Sequence, residues 1–308
     1  MSVVSCQLEK EIFIFTLPHY ILFLSTLNLK QRLENHLQEV ARERNPYMDS
    51  AAHFFVQEYI RQQLGQWGSV EIHTFEVRGK TCKNLILNLP AATTKQKADL
   101  PPILIGAHYD GVLGTVGADD NATGVAVLLE FARSFAEKPA RYPLRLVAFD
   151  MEEYGLLGSA DYAALLREQK QPLRLMISLE MLGYRDSTPG SQKYPFPLEL
   201  FYPNRGDFIA LIGNLKTLGD LISLSKSIHK VGIPSQWLPA PNRGLLVPQT
   251  RLSDHAPFWD QGYPAIMVTD TAFMRNPHYH KASDTIATLD LDFLTGVCEG
   301  LEQGIRRL

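Results

Sequence analysis

Histidines and carboxylates in this chain recur where apolar runs end. Ile103-Leu104-Ile105 leads into Gly106-Ala107 and then His108-Tyr109-Asp110; a glycine-containing loop follows, then Asp119-Asp120-Asn121 and a segment of helical period from Thr123-Gly124. His108 and Asp119 are residue types that donate to a zinc-like ion, and Asp110 can hydrogen-bond the second imidazole nitrogen and fix its tautomer. A lone His-x-Asp more often marks a polar loop with a surface histidine, because so short a motif matches by chance. Later segments of the same kind change that balance. Leu144 to Phe149 ends in Asp150-Met151-Glu152-Glu153, and Leu173 to Leu179 ends in Glu180. Asn276-Pro277-His278-Tyr279-His280 precedes Ser283-Asp284-Thr285. Nitrogen and oxygen donors without thiolate suit a catalytic zinc or a pair of divalent ions.

Adjacent Glu152 and Glu153 have a chemical rationale. One carboxylate can bind metal while its neighbour acts as general base on a water whose pKa the metal lowers. Paired glutamates are otherwise common solvated residues; their place at a strand end, in phase with the other acidic strand ends, sets these apart. His278 and His280 are nearly equal as ligands by spacing alone.

The elements that must position these groups follow from periodicity. Leu29, Leu33, Leu37 and Val40 give an amphipathic helix over Asn28 to Arg44, broken by Asn45-Pro46. A second helix runs from an N-cap at Asp49 to Leu64, before Gly65. Val70 to Val77 alternates as a strand with a phase shift near His73, read as a bulge, and Asn84 to Leu89 is its neighbour. The runs at 103–105, 144–149 and 173–179 are short enough for buried strands, with helices from Gly124 and from a Ser159 cap to Glu168. Leu198 to Tyr202 is a candidate strand and Phe208 to Ile228 a helical region. Asp254 to Gln261 is a short helix, Ala265 to Val268 a strand, and Leu291 to Leu308 a closing helix. Strands alternating with helices imply a three-layer α/β fold, its central sheet mixed but mostly parallel, with helices on both faces. Ligand sites in such sheets lie outside the carboxyl ends of the strands.

Composition sets outer limits. A chain of 308 residues, 45% hydrophobic, can bury a large core, and no linker, repeat or composition break divides it. The expected organisation is an N-terminal extension over residues 1–27 and one catalytic domain over 28–308. A net charge of -3 without a Lys/Arg cluster argues against nucleic acid. The three cysteines, Cys6, Cys82 and Cys298, form no CxxC, which disfavours a disulfide framework or a thiolate zinc site. Ile12 to Leu27 is apolar, but shorter than the about 18 residues of a spanning helix and interrupted by Pro18 and His19. It lacks a positive n-region and an A-x-A site, leaving open a docked extension, a degenerate export signal or an early start codon. No transmembrane segment is expected. Localisation is open, between a cytoplasmic setting that the sparse cysteines fit and export.

HYDG, GADDNATG, MEEYGLLGS and NPHYHKASDT, in that order and spacing, together with SDHAPFWDQGYPAIMVTD, resemble the M28 family of zinc aminopeptidases. The likeness runs from about Ala51 to the C-terminus and implies a zinc-exopeptidase, phosphorylase/hydrolase-like fold. It implies two Zn2+ per chain bridged by Asp119, with a cis Asp119–Asp120 peptide. One ion would add His108 and Glu180, the other Glu153 and His280, with Glu152 as general base and Asp110 orienting His108. Relatives often carry Asp at position 180. The family pattern favours His280 over His278, and leaves His255 a structural or pocket-lining role because the other ligands fill the metal shell. Arg243, Arg251 and Arg275 could meet a substrate carbonyl or carboxylate, and Tyr184 and Tyr263 an oxyanion. The implied activity is aminopeptidase action on peptides with a free N-terminus, by metal-bound hydroxide. Two other readings stand beside it: a mono-zinc glutaminyl cyclase, whose HYD, paired-carboxylate and DH segments are similar, and a non-catalytic binding module on the same fold.

Overall fold

The computed structural model describes residues 28–48, 50–92 and 100–308. The 1–27 extension and the Asp49 cap therefore lie outside the described residues. Chain order is α1 (Leu29–Val40), α2 (Ser50–Gly65), β1 (Val70–Val77), β2 (Lys80–Leu89), β3 (Ile103–His108), α3 (Gly124–Glu137), β4 (Leu144–Phe149) and α4 (Leu157–Glu168). Then come β5 (Leu175–Glu180), β6 (Ile209–Asn214), α5 (Leu218–Lys230), β7 (Ser235–Ala240), α6 (His255–Asp260), β8 (Ala265–Thr269) and α7 (Leu291–Ile305). The strands form one eight-stranded sheet in the order β1-β2-β4-β3-β5-β8-β6-β7. Its centre, β4-β3-β5-β8, is parallel. The β1-β2, β2-β4 and β8-β6 pairings are antiparallel, and β6-β7 is parallel.

Side chains alternate across a strand, so each central strand feeds two cores. Ile103, Ile105, Leu144, Leu146, Leu175 and Ile177 face one side and pack with α1, α2, α3, α5 and α7. Leu104, Val147, Phe149, Met176 and Met267 face the other and pack with α4 and α6. Burial on both faces explains why these strands read as continuous apolar runs. Gly106 in β3 serves this packing: a Cβ there would collide with the Phe149 ring. Truncating a buried ring such as Phe149 to Ala costs about 3–5 kcal/mol.

Several local expectations change. β1 pairs with β2 in unbroken register from Val70↔Leu87 to Val77↔Lys80, so there is no bulge at His73. The two strands are joined at Arg78 (φ 50°) and Gly79 (φ 80°), both left-handed as a two-residue hairpin requires. Arginine is an unusual residue there, which hid the turn. α1 stops at Val40, and its start is a capping box between Asn28 and Gln31. Ser159 lies inside α4, donating to the Leu156 carbonyl instead of capping. Leu198–Leu200 is a single 3-10 turn, not a strand: Leu198 turns toward a cavity, and Leu200 and Phe201 are exposed. The supposed helix over 208–228 is β6, a turn and α5, because Ile209 and Leu211 face one core and Ile212 the other. β7 was not anticipated; Pro239 is tolerated because β7 is an edge strand. Among the described residues, no helix is long and apolar enough to cross a membrane.

Candidate metal centre

Four central strands end at one place. His108 is the last residue of β3 and Glu180 the last of β5. The turn after β4 carries Glu152 and Glu153, and the chain after β8 returns with His280. Three overlapping groups of ligand atoms result: His108 with Asp120 and Glu180, Asp120 with Glu153 and His280, and His108 with Glu152 and Glu153, the atoms of each lying within 4.8 Å of one another.

Asp120 stands between the two histidines. Its Oδ1 is 3.3 Å from His108 Nε2 and its Oδ2 is 3.1 Å from His280 Nε2. Glu153 Oε2 is 3.2 Å from the same His280 nitrogen, and Glu180 Oε1 is 3.7 Å from His108 Nε2. Glu152 stands further off, at 4.0 Å from His108 Nε2.

The position expected for Asp119 is thus taken by its neighbour. Asp119 turns away: its Oδ1 accepts from Gly183 N at 2.9 Å and its Oδ2 from Asn276 Nδ2 at 2.7 Å. It is absent from every group of converging ligand atoms among the described residues. The cis peptide likewise falls between Asp120 and Asn121, not between Asp119 and Asp120. The cause is the anchoring of the turn. Asp284 accepts the Asp119 and Asp120 N–H groups at 2.9 and 3.1 Å, and Asn121 spans to Leu179, Met181 and Gly124. Held so, the turn presents Asp120 forward. Two adjacent aspartates carry no such information as a string.

Asp110 does more than sequence reasoning gave it. Its carboxylate is 3.5 Å from His108 Nδ1, and its two oxygens accept the N–H groups of Glu152 and Glu153 at 3.0 and 3.2 Å. It therefore fixes the backbone of the glutamate pair against β3. Glu180 has one oxygen engaged by Ser253 Oγ at 2.7 Å, and Ser253 in turn meets Ser178. The other oxygen faces His108, so the longer side chain at 180 is braced to present a single donor.

The electrostatics are those of a cation site. Burial opposes charge on His108, yet Glu152 and Glu180 outweigh it and hold its pKa well above the ordinary imidazole value. His280, half-buried, behaves alike: Asp120 and Glu153 overcome burial and push it up to about 10. Burial, aided by Asp120, pushes Glu153 up to about 7 and, with Glu180 and Glu153 adding repulsion, raises Glu152 well above the carboxylate range. Asp120 is lowered in spite of burial, by both histidines. Neither nitrogen of His108 makes a regular hydrogen bond, and Glu153 Oε1 also lacks a partner although buried. Buried polar atoms normally find partners. Orphaned imidazole nitrogens beside clustered carboxylates fit divalent metal, and the N/O donor set fits zinc.

The remaining candidates lie elsewhere. His255 donates from Nε2 to the Thr250 carbonyl at 2.7 Å and packs edge-on against Trp259; burial pushes its pKa down to about 3. His278 pairs with Ser283 and packs against Tyr184. Tyr263 donates to the Gln171 carbonyl, away from the cluster. Arg243 and Arg251 pair with Asp260, and Arg275 is buried against Gln192, the Tyr184 carbonyl and the Phe208 ring. Tyr279 is the residue that sequence reasoning passed over. Its ring stacks on His280 at 3.7 Å, and it lines an open cavity together with Asp120, Glu152, Glu153 and Glu180. Burial and then the same carboxylates raise its pKa, so the hydroxyl stays a donor. The rest of the cavity lining is mostly apolar, with Tyr202, Phe208, Trp237, Leu252, Met267 and Phe273 among others. The signal for Tyr279 was its place beside His280.

Comparison with known proteins gives the family and the fold. The model of peptidase family M28 matches residues 84–301. The uncharacterized protein YfbL of Escherichia coli K12 is 38% identical over 261 residues, covering 79% of this chain and 77% of its own length. Other relatives are described as aminopeptidase, probable leucine aminopeptidase or probable zinc metalloprotease, and the matches span only 18% to 69% of their lengths. Among solved structures, the LapA aminopeptidase of Legionella pneumophila superposes with a TM-score of 0.68 at 19% identity, covering 97% of this chain and 77% of that one. A glutaminyl cyclase of Bacteroides thetaiotaomicron superposes with a TM-score of 0.65 at 17% identity, covering 91% and 97%. At such identities both likenesses concern the fold.

Proposed function

The chain belongs to peptidase family M28 as a metallo-exopeptidase, and from that premise we propose that it is a zinc-dependent aminopeptidase with a two-ion centre. His108, Asp120 and Glu180 would hold one ion, and Asp120, Glu153 and His280 the other. The observation that carries this is the seat of Asp120, with one oxygen toward each histidine. Zinc so bound polarises a carbonyl and lowers the pKa of water to near neutrality.

The chain's own residues do the rest. Glu152 is not needed as a ligand in either trio, lines the cavity, and has a pKa raised by burial. It takes the proton of the attacking water at its carboxylate and returns it to the leaving amine nitrogen. Asp110 keeps Glu152 and Glu153 in place through their N–H groups. The Tyr279 hydroxyl donates to the substrate's carbonyl oxygen as negative charge grows there. Next to these groups, the apolar cavity receives the side chain of the N-terminal residue, which favours Leu, Phe or Met over small or charged residues.

Metal content by elemental analysis, alongside a screen of aminoacyl anilides and N-terminal glutaminyl peptides, tests this. Two zinc ions with cleavage of apolar aminoacyl anilides is the expected result. One zinc with ammonia release from glutaminyl peptides points instead to a cyclase, and neither metal nor turnover to a binding module.

A further inference from the structure

Arg44 leaves the end of α1 and is completely buried. All three of its side-chain nitrogens donate to backbone carbonyls. Nε donates to Tyr109 O at 3.0 Å, the residue between His108 and Asp110. Nη2 donates to Gly117 O at 2.9 Å and to Asp120 O at 3.1 Å. Nη1 reaches Val40, Arg42 and Val116. The chain leaves room for it: Gly117, at φ 53°, and Gly111 have no Cβ that would press on the guanidinium or its stem. A buried charge is costly unless fully hydrogen-bonded, and here it is set behind Asp120, Asp110, Asp284 and Glu153.

We infer that Arg44 is a positioning residue for the metal centre. Asp284 grips the N–H of Asp120 from one side while Arg44 grips its carbonyl from the other, so the direction of the Asp120 carboxylate toward His108 and His280 is set between them. Through the Tyr109 carbonyl the same guanidinium ties that turn to the strand end bearing His108. A planar fork can serve these divergent carbonyls at once; a lysine ammonium, as a point donor, cannot. The inference rests on the proposed metal centre.

The test is zinc affinity by chelator competition for the wild-type protein and Arg44→Lys, with the visible spectrum of the cobalt-substituted forms and the melting temperature of the metal-free forms. Groups that orient metal ligands typically carry about 10- to 100-fold in metal affinity. Arg44→Lys should show a loss of that size and an altered cobalt spectrum, beyond any change in metal-free melting. Unchanged zinc affinity and spectrum in a folded Arg44→Lys would overturn the inference, even if its melting temperature falls. If Arg44→Lys does not fold, Arg44→Ala with added guanidinium replaces it. Recovery of tight zinc binding supports the inference; failure to recover assigns Arg44 to the fold alone and overturns it. A wild-type protein that binds no zinc removes the metal centre itself, an outcome distinct from a wild-type protein that binds zinc no better than Arg44→Lys.

Discussion

Substituting the two neighbouring aspartates separately sets the structural assignment against the one the sequence suggests. Asp120→Asn changes a group whose two oxygens stand 3.3 and 3.1 Å from the two histidines, so one substitution removes a charged donor from both ligand trios. Outer groups that merely orient ligands carry about 10- to 100-fold in affinity, so loss of a shared direct ligand should exceed about 100-fold for zinc. Asp119→Asn has a different cost. Both Asp119 oxygens accept N–H groups, from Gly183 and Asn276, and the carboxyl also meets that of buried Asp270; an amide can donate to Asp270 but keeps a single acceptor, so one of the two N–H groups loses its partner. One unsatisfied buried group costs about 1–3 kcal/mol of stability. Asp119→Asn should therefore melt earlier yet keep zinc to within about 100-fold of wild type. The assay is zinc stoichiometry after dialysis and chelator competition, paired with thermal melts of the metal-free proteins. If Asp119→Asn sheds zinc while Asp120→Asn retains it, the reasoning from the turn geometry is wrong.

Glu152→Gln should keep its zinc and lose about 10²- to 10⁴-fold in kcat with little change in KM, whereas Glu153→Gln should lose zinc; stoichiometry and steady-state rates decide it. Tyr279→Phe should lower kcat by about 10²- to 10³-fold with zinc content unchanged, measured on leucyl anilide; unaltered turnover would remove the tyrosine from the reaction. His255, whose pKa burial pushes down to about 3, stabilises the fold fully above its unfolded value of about 6.5. As pH falls from there toward 3 that stability is lost, by at most about 1.4 kcal/mol per unit. Melts of the wild type and His255→Gln across this range should show a shallower acid dependence in the variant, and parallel curves would refute the assignment.

Much of the fold was legible because β3, β4, β5 and β8 are buried on both faces and so stand out as unbroken apolar runs with polar residues at their ends. That rule found His108 and Glu180 and narrowed the others to Glu152 or Glu153 and His278 or His280; the family resemblance chose Glu153 and His280, and the structure brings all four together. The rule cannot choose between Asp119 and Asp120, because the choice is made by Asp284 from 164 and 165 residues away. It also fails where a strand and a helix are both apolar and abut, as at 209–230, since a short run buried on two faces has no period of its own. Arg44 was invisible for the same reason as the Asp284 grip: the partners of both are backbone groups, which carry no side-chain signature. Tyr279 stands within NPHYH, but a tyrosine next to a ligand histidine has no pattern of its own that marks it as facing the site.

Zinc-edge anomalous diffraction from crystals of the zinc-loaded protein tests the central claim most directly. Two peaks are expected, one among His108, Asp120 and Glu180 and the other among Asp120, Glu153 and His280, with donor distances of about 2.0–2.2 Å. A single peak, or a pair bridged by Asp119 with Asp120 turned away, would contradict it.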